Sequence, residues 1–200
     1  MKIIEDNPNF TLYEGNIKVF KPSIIIGIEN ITFGKNILID SFTQIYAKEK
    51  GQVKIGNYVH FGAYSSIMGG GTLTINDYVA VSQGCRIVTA TDDFKNGGFG
   101  TPCMPNNEKY RNVTHGNITI GKFAIIGTNS VILPNVTIEE GVTVGAGCVI
   151  GSNKTLKEWG VYVGSRRVGE RNKQKCLENY NNFLKESDYE NKNTSYMACS

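Results

Sequence analysis

The stretch Ile118 to Gly151, ITIGKFAIIGTNSVILPNVTIEEGVTVGAGCVIG, carries a large apolar residue at every sixth position: Ile120, Ile126, Ile132, Ile138, Val144 and Ile150. The residues two places earlier, Ile118, Ala124, Ser130, Val136, Val142 and Cys148, are aliphatic or small. Inward residues at i and i−2 with an outward residue between them are the alternation of a strand. A helix repeats near 3.6 and cannot carry a period of six, so each strand must be very short and then turn.

The same period runs upstream in blocks of three: Phe33, Ile39, Ile45; Ile55, Phe61, Ile67; Ile75, Val81, Ile87. Three strands to a coil predict about five coils of an all-β, parallel β-helix whose rung residues stack in one interior column. Glycine follows the rung at Gly34, Gly56, Gly62, Gly121, Gly127, Gly145 and Gly151. A corner residue there is expected to need an unusual φ and close backbone approach.

The period breaks three times, by four residues before Ile55, by two before Ile75 and by twenty-seven before Ile120. Every break follows a third rung, so all the insertions are expected on one edge of the prism, and insertions on one face often mark a binding face. The long excursion covers about residues 88–117 of a domain spanning 1–168, with residues 1–24 capping the first coil. Residues 169–187 read as a short C-terminal helix with Leu177, Tyr180, Phe183 and Leu184 on its apolar side. Residues 188–200 are polar and aperiodic and read as a mobile tail.

Composition removes several classes of function. A net charge of +3 over 200 residues, with no Lys/Arg block, lacks the footprint of a nucleic-acid partner. Met1 to Phe10 holds no apolar signal core and no later run has membrane length, which predicts a cytoplasmic chain without membrane insertion. The five cysteines are widely spaced without a CxxC pair and read as reduced thiols. Two histidines, His60 and His115, are too few for a three-histidine zinc centre, so no metal is expected.

The motifs IGNYVHFGAYSSIMGGG (55–71), TATDDF (89–94), the stretch from 118 and NKTLKEWGVYVG (153–164) resemble those of the hexapeptide-repeat acyltransferases. Over about residues 25–170 the chain looks like the sugar O- and N-acetyltransferases of bacterial polysaccharide biosynthesis. The resemblance implies a left-handed coil, a homotrimer with active sites between subunits, and acetyl-CoA as the acyl donor.

Acyl transfer needs a base, because the acceptor loses a proton as it attacks, and histidine serves near neutral pH. His60 precedes rung Phe61 and so faces outward on its strand, which makes it the favoured base; His115, closing the excursion, is the alternative. In the galactoside and maltose acetyltransferases a catalytic histidine follows Thr-Ala-Thr, whereas here Thr91 is followed by Asp92 and Asp93. That departure points to an amino-sugar acceptor, a nucleotide-linked 3- or 4-amino-dideoxy hexose, with Asp92, Asp93 and Tyr64 expected to contact substrate. The resemblance also implies that Gly127, Thr128, Ala146 and Gly147 line the pantetheine, and the cations Lys154, Arg166, Arg167 and Arg171 that follow are expected to meet the phosphates of CoA. The rival readings are an O-acetyltransferase acting on a sugar hydroxyl or antibiotic, and a catalytically silent hexapeptide scaffold.

Overall fold

The computed structural model describes residues 2–47, 51–93, 95–103 and 107–197. Strands of two to four residues stack in parallel into three sheets that form the faces of a prism. The first face holds Ile17–Phe20, Ile37–Ile39, His60–Phe61, Ala80–Val81, Ile125–Ile126, Thr143–Val144 and Gly160–Val163. The second holds Ile24–Ile26, Gln44–Tyr46, Ser66–Met68, Arg86–Val88, Val131–Ile132 and Val149–Ile150. The third holds Ile31–Phe33, Val53–Ile55, Leu73–Ile75, Ile118–Ile120, Thr137–Ile138 and Thr155–Leu156.

The rung residues form the core. Ile39, Ile45, Ile120, Ile126, Ile132, Ile138 and Ile150 are wholly buried, and each such side chain contributes about 1.5–3 kcal/mol relative to exposure. Register keeps equivalent rungs in line, Ile39 over Phe61 over Val81 over Ile126 over Val144 on the first face.

The prism has about seven turns rather than five. The six-residue period extends to Leu156 and Tyr162, both buried. At the other end Val19 and Ile25 enter the core, and a 3-10 turn at Ile28–Asn30 lengthens the step to Phe33 and hides the repeat. The N-terminal cap is therefore shorter than residues 1–24: Ile3–Asp6 and Phe10–Tyr13 pair antiparallel onto Ile17–Phe20, where the solenoid begins. Arg166–Glu170 closes the other end antiparallel to Gly160–Val163. Antiparallel caps end a parallel stack that would otherwise present open strand edges.

Five of the seven glycines after the rungs, Gly34, Gly56, Gly62, Gly121 and Gly127, serve one of their two expected purposes, whereas a Cβ on Gly145 would come no closer than 3.2 Å to a neighbour and one on Gly151 would meet nothing within 4 Å. A Cβ on Gly62 would lie 2.4 Å from the backbone nitrogen of Gln83, and one on Gly127 2.6 Å from that of Ala146, so adjacent coils require glycine for close approach. None of these seven glycines has positive φ. The left-handed residue comes two places later, at Asn36, Tyr58, Tyr64, Phe123 and Asn129 among others, and Tyr78 holds the same position after Asn76. Such a φ is costly for a bulky side chain; here the rings stack on one another, Phe42 on Tyr64 at 4.8 Å and Tyr58 on Tyr78 at 4.8 Å.

The insertions share the edge between the second and third faces, where Gly71 packs against Thr89 and Gly116 at the root of the excursion. The edge between third and first faces carries the ladder Tyr58, Tyr78, Phe123, against which Tyr180 and Phe183 of the C-terminal helix pack. That helix runs Lys173–Met197, into the residues expected to form a mobile tail, because no glycine or proline interrupts it; residues 198–200 lie outside the described part.

Candidate active site

A cleft of about 310 Å³ opens along the edge between the first and second faces. It is lined by Asp40, His60, Gly62, Ala63, Ala80, Val81, Ser82, Gln83 and Thr128, within the size range of small-molecule sites. Its origin is local. His60 points outward from the first face, and the residue stacked above it is Ala80, whose small side chain leaves the imidazole uncovered. Gly62 and Ala63 form the next corner and add no bulk.

His60 Nε2 lies 3.0 Å from Asp40 Oδ2, with the imidazole 45% and the carboxylate 33% exposed. A carboxylate on one ring nitrogen fixes the tautomer and leaves the other nitrogen as an acceptor. Asp40 escaped sequence reasoning because its partner lies one coil away. The signal was present: rung Ile39 stacks under rung Phe61, so the residue after one and the residue before the other meet at the same corner.

The residues expected at the pantetheine share this edge. Thr128 lines the cleft, and the corner Gly127–Thr128 sits directly beneath Gly145–Gly147, joined by the Gly147 N–H to Thr128 carbonyl hydrogen bond of 2.7 Å. Ala146 and Gly147 are exposed. Tyr64 flanks the cleft next to Ala63, exposed and stacked on Phe42, and its carbonyl accepts a hydrogen bond from the Arg86 guanidinium.

The excursion leaves from another edge. Ala90–Asp92 pairs antiparallel with Val113–His115, so the loop stands on a two-stranded stem. Asp92 receives Arg111 Nε at 2.5 Å on one oxygen and Arg111 Nη2 at 3.1 Å on the other. This fork holds the Asp92 carboxyl below the usual carboxylate range. Asp93 Oδ1 instead accepts the backbone N–H groups of Asn96 at 2.8 Å and Lys95 at 2.9 Å, which lower its pKa and tie it to its own turn. Phe94, beside them, lies outside the described residues. His115 is exposed opposite Ala90 on the stem. Within one chain, then, the cleft does not include Asp92, Asp93 or His115.

The expected phosphate cations are scattered. Lys154 sits beyond Val149–Ile150 on the insertion edge, not the cleft edge. Arg171 donates to the carbonyls of Phe123 and Gly141 and to Cys176 Sγ, and so clamps the helix to the opposite corner. Arg167 is paired with Glu170 at 3.2 Å and reaches the Glu158 carbonyl. Arg166 opens the exposed capping strand beyond the turn at Gly164, at the upper end of the first face. Counting rungs modulo three would have separated Lys154 from Gly127 and Ala146 at the outset. The described residues contain no group of three or more side chains suited to a metal ion, and none of the described helices is long and apolar enough to cross a membrane.

Residues 117–153 match the family described as bacterial transferase hexapeptide (six repeats). A dTDP-4-amino-4,6-dideoxy-D-glucose acyltransferase of Escherichia coli is 34% identical over 125 residues, 62% of this chain. The match spans 64% of that protein's length. AntD, an N-acyltransferase from Bacillus cereus, superposes with a TM-score of 0.77 at 34% identity over 86% of this chain and 89% of its own, in a complex with dTDP-4-amino-4,6-dideoxyglucose and coenzyme A. A further complex of AntD holds dTDP and 3-hydroxybutyryl-CoA, with a TM-score of 0.75 at 34% identity over 86% of this chain and 89% of that one. The repeat, the prism and these likenesses define a hexapeptide-repeat transferase. The chain belongs to the family of hexapeptide-repeat sugar acyltransferases that includes AntD.

Proposed function

We propose that the chain transfers the acetyl group of acetyl-CoA to the amino group of a nucleotide-linked amino-dideoxy hexose, for surface polysaccharide or glycan assembly in the cytoplasm. The observation that carries this reading is the His60–Asp40 pair in a cleft whose upper wall is the small-residue corner at Gly127–Thr128. The relatives, named for acylation of an amino sugar and solved with CoA, support the substrate class.

The chemistry is direct transfer. Asp40 orients His60, whose free nitrogen takes a proton as the amine attacks the thioester carbonyl. A corner backbone N–H steadies the oxyanion. When the C–S bond breaks, the same proton passes to the departing sulfur, giving an amide and CoA without an enzyme-bound acyl group.

The site is completed by a homotrimer. The second face lies between the cleft edge and the insertion edge and carries an outward apolar stripe, Ile26 beside Tyr46 and Met68 beside Val88. Ile26 and Met68 are exposed, as suits a surface that awaits a partner. Three copies turning this face toward one axis bring the cleft edge of each against the excursion edge of the next. Asp92 of one copy then meets the acceptor beside His60 of another.

The test is mass analysis of products from acetyl-CoA with dTDP-4-amino-4,6-dideoxyglucose and with dTDP-glucose. One acetyl group added to the amino sugar, in a bond stable to hydroxylamine, is the expected result. Acetylation of the hydroxy sugar alone, or of neither, overturns it.

A further inference from the structure

Asp92 faces a conflict that its surroundings resolve. The nucleophile in acyl transfer is a neutral amine, whereas an uncompensated carboxylate beside an amine favours the ammonium, which has no lone pair to attack with. Both oxygens of Asp92 are forked by the Arg111 guanidinium. The pair has little net charge, yet each carboxylate oxygen keeps a lone pair for an N–H donor. Arg111 reaches it from the return arm of the excursion, fixed by the stem register and by the Asp93 N–H to Asn112 carbonyl bond of 2.7 Å. Among the described residues the stem and its flanks carry Asp93, next to Asp92 in the chain, and His115, Lys109 and Tyr110 on the return arm; a Cβ on Gly98 would meet Asp93, and one on Gly100 would lie 4.0 Å from Asp92 Cβ.

We propose that Arg111 is a positioning residue for the transfer: by forking Asp92 it presents a charge-compensated carboxylate that orients the acceptor amine while leaving it unprotonated. This role rests on the amino-sugar reading above. The amine donates one N–H to Asp92; its second proton goes to His60 as the N–C bond forms, and Asp92 remains ionised throughout. Arginine suits the position because its fork is rigid and always charged, whereas lysine keeps the charge without the fork.

The experiment follows thiol release from acetyl-CoA with dTDP-4-amino-4,6-dideoxyglucose for the full-length wild type, Arg111→Gln and Arg111→Lys, recording kcat against pH. In Arg111→Gln the unpaired Asp92 holds the bound amine protonated, so the acid limb of kcat moves upward by about one pH unit. At neutral pH kcat falls about tenfold, the same shift read at fixed pH. Arg111→Lys restores most of the limb position, which separates the role from simple bracing of the loop. Limbs that coincide in all three proteins overturn the proposal, even where kcat falls. A wild type that acetylates no amino sugar overturns the amino-sugar reading itself, an outcome distinct from coincident limbs in an active enzyme.

Discussion

At the scale of single residues, the proposed chemistry turns on His60 Nε2 and Asp40 Oδ2, 3.0 Å apart across one coil. Asp40→Asn keeps the side chain's shape and removes the charge that would stabilise an imidazolium. It should lower kcat with little effect on KM for either substrate, as steady-state kinetics will show; unchanged kcat would remove Asp40 from the mechanism. Rung residues announced themselves because burial acts along the chain at fixed spacing, and His60 could be placed outward by counting from Phe61. Asp40 needs a comparison between coils instead, since its contact with His60 runs across them, and the four-residue insertion after Ile45 stretches that coil beyond eighteen residues. The corner rule was half legible for a related reason: close approach and positive φ are separate demands, met by Gly62 and by Tyr64 two places later.

At the scale of elements, the C-terminal helix is held to the prism by rings rather than by its own propensity. Tyr78 is the hub: it stacks on Tyr58 and meets Phe123, Tyr180 and Phe183. Burial pushes its phenol up to about 12 from 10.0, with Tyr180 and Tyr58 adding to the rise. Because the folded value is the higher one, the stabilisation is fully present below pH 10.0 and is lost as pH rises toward about 12. Tyr78→Phe should therefore flatten the fall of Tm with pH in that alkaline window, and an unchanged slope would show that this ring does not govern it. The helix was legible from Leu177, Tyr180 and Phe183, but its extent was not, because exposed polar turns carry no packing periodicity. The excursion's stem was likewise invisible, since two three-residue strands in a loop leave no pattern.

At the scale of the whole molecule, the three edges have separate duties. One carries the cleft and the small-residue corners, one the insertions, and one the aromatic ladder with the helix. That division follows from the repeat, since every third corner returns to the same edge and a residue's edge is fixed by its count from the last rung. It also explains why Lys154 and Arg171, which follow the small-residue corners in sequence, are not their neighbours in space within one chain. The separation of His60 from Asp92 within one chain is the feature that makes the proposed trimer necessary to the chemistry. His60→Ala and Asp92→Ala should each be inactive alone, and unfolding, mixing in equal amounts and refolding them together rebuilds intact sites wherever the two variants adjoin in the right order. Thiol release from acetyl-CoA with dTDP-4-amino-4,6-dideoxyglucose is the measurement. Recovery to about one quarter of wild-type turnover, the share of interfaces with both groups intact under random cyclic assembly, is the predicted result. A mixture as silent as its parents, or full activity in either variant alone, would contradict the account.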